Sequence, residues 1–463
     1  MNLSGRKNIY SRDNIALLCR LATLKNANLR RLGSSIILTT LTEGLCDSFD
    51  KKQVMVYDRM FSQVIDFCRR MPAGKNLDRT LNDFGIKNEG AMLRRKKRIS
   101  RFKSFPLQGR EKIKKIIILS RVTIGSDVAV TSVIIEKLKR VFPQAEIVFI
   151  GSVKINELFG GDQRIKLLRL DYPRRGGVME RLNMWLGVLT AVKEETRGLA
   201  ADGYFIVDPD SRLTQLGLLP VLKNDKHYYF FESRSYTSAA LQRLSRLTAA
   251  WADSVFGETK DALFPYVRLS RSDKETSGRI LGQLRRNKGA GTIVSINFGF
   301  GGNANKRVSP AFEKELLQRL LNGRAKVILD KGSAEEAGGI NKLIAAIKRS
   351  GKKVVELKER DLKKAEDIKC DLLVWEGRVG VFSAFIAESS AYIGYDSAFQ
   401  HIASALGVPA TVIFSGAPCS AFFKRWQTYG RGCVNTVKVS GSDKESHKKL
   451  LAKVLDAHKK CME

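Results

Sequence analysis

Residues Tyr392 to Pro409 carry the pattern in this chain best suited to chemistry. A short apolar run ends at Gly394, Asp396 and Ser397 follow, and the spacing then predicts a helix over 399–406. Asp and Ser cap helix starts, and the free amides of such a start attract an anion such as a diphosphate. Ala398 stands in the first turn. His401 comes about one turn after Ser397, so the two share a helix face. A capped strand–helix unit with a core-facing histidine explains the same residues without any chemistry. A second stretch, Asn297 to Arg307, is glycine-rich and ends in Asn303, Lys306 and Arg307. Glycine lets backbone amides approach a phosphate, and the two cations add charge beside it. The spacing is not that of a P-loop, and a plain turn also fits it. Both stretches follow strands, at the ends where open α/β sheets bind ligands.

Two further loops hold candidate carboxylates. Asp127 lies in Ser120 to Thr131, near a helix start, where it serves either as a cap or as a general base facing a cleft. Asp208 and Asp210, with Arg212 beside them, follow another strand; they suit acceptor hydroxyls or simple turn chemistry. The histidines at 227, 401, 447 and 458 and the seven cysteines show no metal-ligand spacing. The G-x-S-x-G pattern of serine hydrolases is absent.

The elements that must position these residues form two series. The first opens with a β-branched run at 115–120, a helical pattern to Val141, a stop at Pro143 and a strand at 146–150. Strands at 165–170, 204–207 and 228–231 and a helix over 179–193 continue it. The second begins with a strand at 292–297. It alternates through a helix at 312–321, a strand at 326–330, a helix at 335–348, a strand at 353–357 and a helix at 381–388. A strand at 391–394, a helix at 399–406 and a strand at 410–414 close it. Such alternation predicts two doubly wound, Rossmann-like α/β domains with a cleft between them. The expected boundaries are a basic helical extension over 1–112, the two domains at 113–290 and 291–440, and a Lys-rich helix over 441–463.

A chain of 463 residues suits more than one core. Its formal net charge of +34 calls for an anionic partner: a phosphorylated substrate, anionic lipid or nucleic acid. The run from Arg94 to Arg98 reads as a solvated face or as a docking site for membrane or polyanion. The N-terminal residues carry charges where a secretory signal needs an apolar core, and no stretch has the length of a membrane span. Cysteines 19, 46, 68, 370, 419, 433 and 461 are odd in number and scattered, the pattern of free thiols in a reducing cytoplasm.

The motif from Gly394 through Asp396, Ser397, His401, Ala403 and Ala405 to Pro409 resembles glycosyltransferase family 9, the ADP-heptose–lipopolysaccharide heptosyltransferases and their relatives. The strand and loop over 116–131 and the lysine of the 303–307 stretch add to the resemblance, which spans about residues 113–440. The chain departs from the family at Ala398, where a glycine is usual, and at Ser126, which separates Gly125 from Asp127. The long extension is a third departure. The resemblance implies a GT-B fold and an inverting, metal-independent transfer of a sugar, expected to be heptose. The donor would be an ADP-linked nucleotide-sugar with no further cofactor, and the acceptor a saccharide or glycolipid. By the same resemblance Lys306, the amides at Ser397 and Ala398, and His401 hold the diphosphate, with Asn303 and Arg307 beside them. Asp396 contacts the donor sugar or its phosphates, and Asp127 is the base. Asp208, Asp210 and Arg212 are acceptor-binding candidates. A cytoplasmic enzyme, peripheral at an anionic membrane face, fits the charge. Two rivals remain: a nucleic-acid-binding protein on a Rossmann scaffold, and an inactive saccharide-binding relative. The absence of a helix-turn-helix pattern, zinc ligands and an aromatic-basic stacking motif speaks against nucleic acid.

Overall fold

A computed structural model describes residues 11–106, 108–286, 291–301, 303–364, 368–440 and 447–463. The first sheet holds β1 (Lys115–Leu119), β2 (Glu146–Gly151), β3 (Ile165–Arg169), β4 (Tyr204–Asp208) and β5 (Tyr228–Phe230). They lie side by side in the order β3-β2-β1-β4-β5, all parallel, with Ile117 level with Val148 on one side and Ile206 on the other. The second sheet holds β6 (Ile293–Asn297), β7 (Lys326–Asp330), β8 (Val354–Lys358), β9 (Leu372–Glu376), β10 (Ala391–Tyr395), β11 (Ala410–Phe414) and β12 (Val434–Lys438). Its order is β12-β11-β10-β6-β7-β9-β8, again all parallel. Parallel sheets need helices on both faces, which is why β1, β6, β10 and β11 are almost continuously apolar and buried.

This is the expected doubly wound α/β architecture. Strands β9 and β12 and the helices Leu244–Phe256 and Arg271–Arg286 were not expected from the sequence. The run Leu372-Leu373-Val374-Trp375 has no alternation, because β9 sits inside the sheet with both faces covered. The Arg271–Arg286 helix leaves the first lobe and packs on the Val379–Ala387 helix of the second. One apolar cluster therefore runs through both lobes, from Ile116, Ile134 and Leu158 to Ile280, Leu284, Phe382, Phe385 and Phe399. Polar links reinforce it: Gly380 N–H donates to Glu157 at 3.0 Å, and Arg378 pairs with Asp273 at 3.0 Å.

Helices Arg12–Thr23, Ala27–Ser35, Lys51–Arg69, Lys75–Asp83 and Glu89–Ile99 build the extension. Its core residues Tyr57, Phe61, Leu77 and Met92 join Leu182, Trp185, Leu216 and Leu219 of the first lobe in one cluster. The basic run is a solvated face at Arg94, Lys97 and Arg98 only, and the other two residues depart from that expectation. Arg95 and Lys96 are buried; Arg95 donates to the Gly217 carbonyl at 2.8 Å and pairs with Asp225 at 3.0 Å. Lys96 donates to the Leu216 carbonyl at 2.7 Å, pairs with Glu232 at 3.0 Å and lies over the Phe230 ring. Helical spacing turns these two inward while Lys97 and Arg94 stay outside. Beyond the run, Phe105 seats among Phe142, Phe205, Tyr229 and Phe256 under the first sheet.

The last helix runs His447–Met462 and packs Leu450, Leu451 and Val454 into the core of the second lobe. The start expected for it, over 441–446, lies outside the described residues. The expectation of free thiols is corrected at one pair: Cys433 and Cys461 form a disulfide. They are far apart in sequence, but this helix lies along β11 and β12 and brings Cys461 back to the start of β12.

Lys96→Met fills the same space but leaves buried Asp58 and partly buried Glu232 without their cation. We expect a loss of about 3 kcal/mol in urea unfolding, partly recovered when Glu232→Gln is added. Equal stability of Lys96→Met and wild type would show that the extension docks without this pair.

Candidate functional site

In an open α/β sheet the crevice opens where the strand order reverses. In the second sheet that place is the β10/β6 boundary, so the loops after these strands must lie together. They do. Lys306 reaches across from the β6 loop, pairing with the Asp396 carboxylate at 2.7 Å and donating to its carbonyl at 3.0 Å. Ser397 donates to Asn297 Oδ1 at 3.1 Å, and Asn297 Nδ2 donates to Asp330 at 2.8 Å. Asp396 also accepts from Gln400, whose carbonyl oxygen accepts from Thr428 at 2.9 Å. Two sets of polar contacts therefore brace the start of the Ala398–Ala405 helix, one through Asp396 and one through Ser397. Asn297, Asp330 and Gln400 were missed in the sequence. The signal available for the first two was their position as the last residues of β6 and β7.

His401 is buried in this helix, with its ring 5.8 Å from that of Trp426. Burial pushes its pKa down to about 4, although Asp396 pulls it upward. The imidazole is therefore neutral near pH 7. Burial also raises Asp330 to about 7, against the pull of the Asn297 and Gly332 donors.

The glycine-rich loop is less available than expected. The amides of Phe300 and Gly301 donate to Glu336 at 2.7 and 3.2 Å, so a carboxylate of the Ala334–Arg349 helix holds them. Residue 302 lies outside the described residues. Asn303 accepts from the Asn305 amide at 3.1 Å and shapes the turn that aims Lys306. Arg307 is a correction: its guanidinium clasps buried Glu313 through two bonds of 2.8 and 2.6 Å and is spent on the fold.

In the first lobe the reversal falls between β1 and β4, and their loops likewise meet. Ser211 donates to the Ser120 carbonyl, and Arg121 donates to the Pro209 carbonyl and to Ser233 at 2.6 Å. Asp127 occupies a π-helical turn, Asp127–Thr131, a widening frequent at functional sites. Its carboxylate is turned into the loop rather than the cleft. One oxygen accepts from Ser120 at 2.6 Å, the other from the Arg121 amide at 2.7 Å and Thr131 at 2.8 Å. Burial still lifts its pKa to about 6 despite these donors.

Asp208 and Asp210 do not open on the cleft either. Asp208 is fully buried, accepting from the Ser211 amide at 2.7 Å and from Thr214 and Tyr228. Asp210 accepts from Ser233 at 2.9 Å and pairs with Arg234 at 2.7 Å. Burial opposes its ionisation, but Arg234, Lys96 and Arg121 outweigh that and hold it at about 2. Asp208 ends β4 and Asp210 follows it, and in this structure both side chains are taken up in closing the loop. Arg212, only partly buried, is the member of the trio that lies beside cleft groups.

The lobes meet at this point. A Cβ added to Gly125 would stand 3.1 Å from Ala398 Cα and 3.4 Å from the His401 ring, so glycine permits the β1 loop to touch the helix start. Between the lobes the extension inserts its turn at Asp47 to Phe49. Phe49 takes a left-handed φ of 54°, packs near Phe422 and lies under Arg425. Burial raises the Asp47 carboxyl, while Arg234, Arg212, Lys306 and Arg121 pull it down. Cations of both lobes thus converge on one acidic side chain of the extension, which no motif in the sequence signalled.

Comparison with solved structures shows what this arrangement is like. The chain superposes on a family 9 glycosyltransferase from Veillonella parvula with a TM-score of 0.53, at 13% identity, over 77% of this chain and 99% of that one. It also superposes on E. coli heptosyltransferase WaaC with ADP, with a TM-score of 0.50 and 11% identity, over 74% and 99%. The fold is GT-B. At these identities the likeness is one of fold. No family model and no curated protein sequence matches the chain. Lys306, Asp396, Ser397, Ala398 and His401 gather at the strand ends of the second lobe, where the β1 loop of the first lobe meets the helix start. Among the described residues no group of His, Cys, Asp and Glu could hold a metal ion.

Because His401 is depressed in the folded chain, the unfolded chain binds more protons between its ordinary value and about pH 4. Stability tied to this residue is complete above pH 6.5 and falls as the pH drops toward 4. We expect wild type to lose about 2–3 kcal/mol more than His401→Gln between pH 7.5 and 4.5 in chemical denaturation. Parallel profiles would mean that the ring is hydrated.

Proposed function

We propose that this chain is an inverting glycosyltransferase, metal-independent, that moves a sugar, heptose by family resemblance, from a nucleotide-diphosphate donor to a saccharide or glycolipid. The observation that carries the reading is the cradle made by Lys306 and the start of the Ala398–Ala405 helix at the β10/β6 crevice. A lysine and the free amides of a helix start are complementary to a diphosphate. In the proposed complex the diphosphate takes the place of the Asp396 carboxylate beside Lys306 and receives the Ser397 and Ala398 amides. Neutral His401 adds a hydrogen bond. WaaC has been solved with ADP, which favours an adenine nucleotide here as well.

Transfer by single displacement needs a base for the acceptor hydroxyl and compensation for the charge on the departing diphosphate. Lys306 and the helix dipole supply the second electrostatically. Asp127 is the proposed base, and its pKa near 6 suits proton removal at neutral pH. To act, its carboxylate must exchange the Ser120 or Thr131 donor for the acceptor hydroxyl, a change small enough for substrate to induce. Arg212, partly exposed beside the cleft, suits an acceptor that carries negative charge. Such a glycolipid would be met at a membrane face; no helix among the described residues is long and apolar enough to cross a membrane.

Calorimetric titration with ADP and UDP tests the donor site. Lys306→Ala should weaken nucleotide binding at least about tenfold, and His401→Ala should weaken it less. Absence of binding to either nucleotide by the folded protein would overturn the reading in favour of a non-catalytic scaffold. Asp127→Asn should keep nucleotide affinity and lower turnover at least about a hundredfold, with wild-type turnover unchanged by EDTA. Unchanged turnover in Asp127→Asn would remove that residue from the mechanism.

A further inference from the structure

The first two helices of the extension, Arg12–Thr23 and Ala27–Ser35, form a tight hairpin. Gly33 allows the contact: a Cβ there would come within 2.6 Å of the Ala22 amide nitrogen. Asn26 caps the second helix, and Arg30 donates back to the carbonyls of Leu24 and Lys25 at 3.2 and 3.3 Å, closing the turn. One side of the hairpin, with Ile15, Cys19 and Ala22, is buried in the extension's core. A surface helix should be polar on its other side.

This one is not. Leu17, Leu24, Leu29 and Leu32 are 56%, 40%, 41% and 53% exposed. They make up half of the large exposed apolar side chains among the described residues; the rest, Met55, Phe102, Val153 and Met462, are scattered over other elements. The charge around the leucines is of one sign. Between Asp13 and Glu43 the chain has no acidic residue, while Arg20, Lys25, Arg30 and Arg31 are all exposed. Leucine together with unopposed Lys and Arg is the composition that enters an anionic lipid interface, the apolar groups reaching the acyl boundary and the cations the head groups. A soluble acidic partner would use the cations but leave the leucines in water.

We infer that this hairpin docks the protein on an anionic lipid bilayer through Leu17, Leu24, Leu29 and Leu32 and the basic residues between them. The inference deepens the proposed action on a glycolipid by assigning the membrane-facing surface, and its test does not depend on sugar transfer. The chain also connects the surface to the cleft. From Ser35 the helix widens into a π-helical stretch, Ile36–Leu41, continues as Thr42–Cys46 and delivers Glu43 and Asp47 toward the cleft arginines. A lipid-held acceptor would meet the enzyme beside the segment that enters its cleft.

The test is co-sedimentation of the full chain with vesicles of phosphatidylcholine alone or with about 30% phosphatidylglycerol. Wild type should bind only the anionic vesicles. Leu29→Ser/Leu32→Ser and, separately, Lys25→Ser/Arg31→Ser should each lower the bound fraction at a fixed lipid concentration by about tenfold. Both should melt like wild type, and Val153→Ser should bind normally. Leu17→Ser/Leu24→Ser probes the same face from the other helix. Absence of wild-type binding, or retention of full binding by the leucine variants, would overturn the inference. So would self-association of wild type that Leu29→Ser/Leu32→Ser abolishes, since the face would then take a second copy of the chain.

Discussion

Two all-parallel sheets, each covered on both faces, leave nowhere for polar chemistry except the ends of the strands. This constraint organises the molecule. Within the sheets, side chains such as Ile117, Val148, Ile296 and Ile393 have no contact with solvent. Carboxylates and amides therefore gather at Asn297, Asp330 and Asp396, just where β6, β7 and β10 end. The strand order brings the β6 and β10 loops to one crevice and the β1 and β4 loops to another. The apolar cluster through the Arg271–Arg286 and Val379–Ala387 helices then joins the two lobes. A cleft lined by a lysine, a helix start and a neutral histidine follows from the packing.

The same packing decides how the excess of positive charge is used. Arg95, Lys96, Arg121 and Arg234 are buried, and acidic side chains or carbonyls receive them. These cations hold the extension to the first lobe and the β4 loop to the β1 loop. Other cations remain unpaired by design of the surface, as on the hairpin, or face the cleft, as with Arg212. The extension is thus part of the folded body of the two lobes. It shares a core with the first lobe, and its Asp47 to Phe49 turn reaches the second lobe, where Cys419 donates to the Asp47 carbonyl.

The fold was largely legible because periodicity is a local property. The alternation of short β-branched runs with helical spacing marked most strands to within a residue or two. β9 was missed although it is as apolar and buried as β1 and β6, which were found. The site was legible in part. The step from strand to helix at Asp396 and Ser397 is local, and so is the lysine of the β6 loop; the expected cap does not form, because Ser397 donates to Asn297 instead. Which groups are left for a ligand is not local. Arg307 carries the same charge as Lys306 and Asp210 stands two residues from Arg212, yet Glu313 and Arg234 pair with Arg307 and Asp210 within the fold.

The sequence by itself determined the two α/β series, the helical extension, the positive charge and the positions of strand ends, because these depend on neighbours within a few residues. Tertiary structure alone decided the rest. It brought Cys461 to Cys433, turned Arg95 and Lys96 inward, sealed the Asp127 carboxylate in its loop and carried Asp47 into the cleft. Apart from the Asp127 seal, which Ser120, Arg121 and Thr131 make within one loop, each of these is a contact between segments distant along the chain. Whether a charged group is spent on the fold or left for a substrate depends on the partner that packing brings within about 3 Å, and that partner cannot be read from spacing.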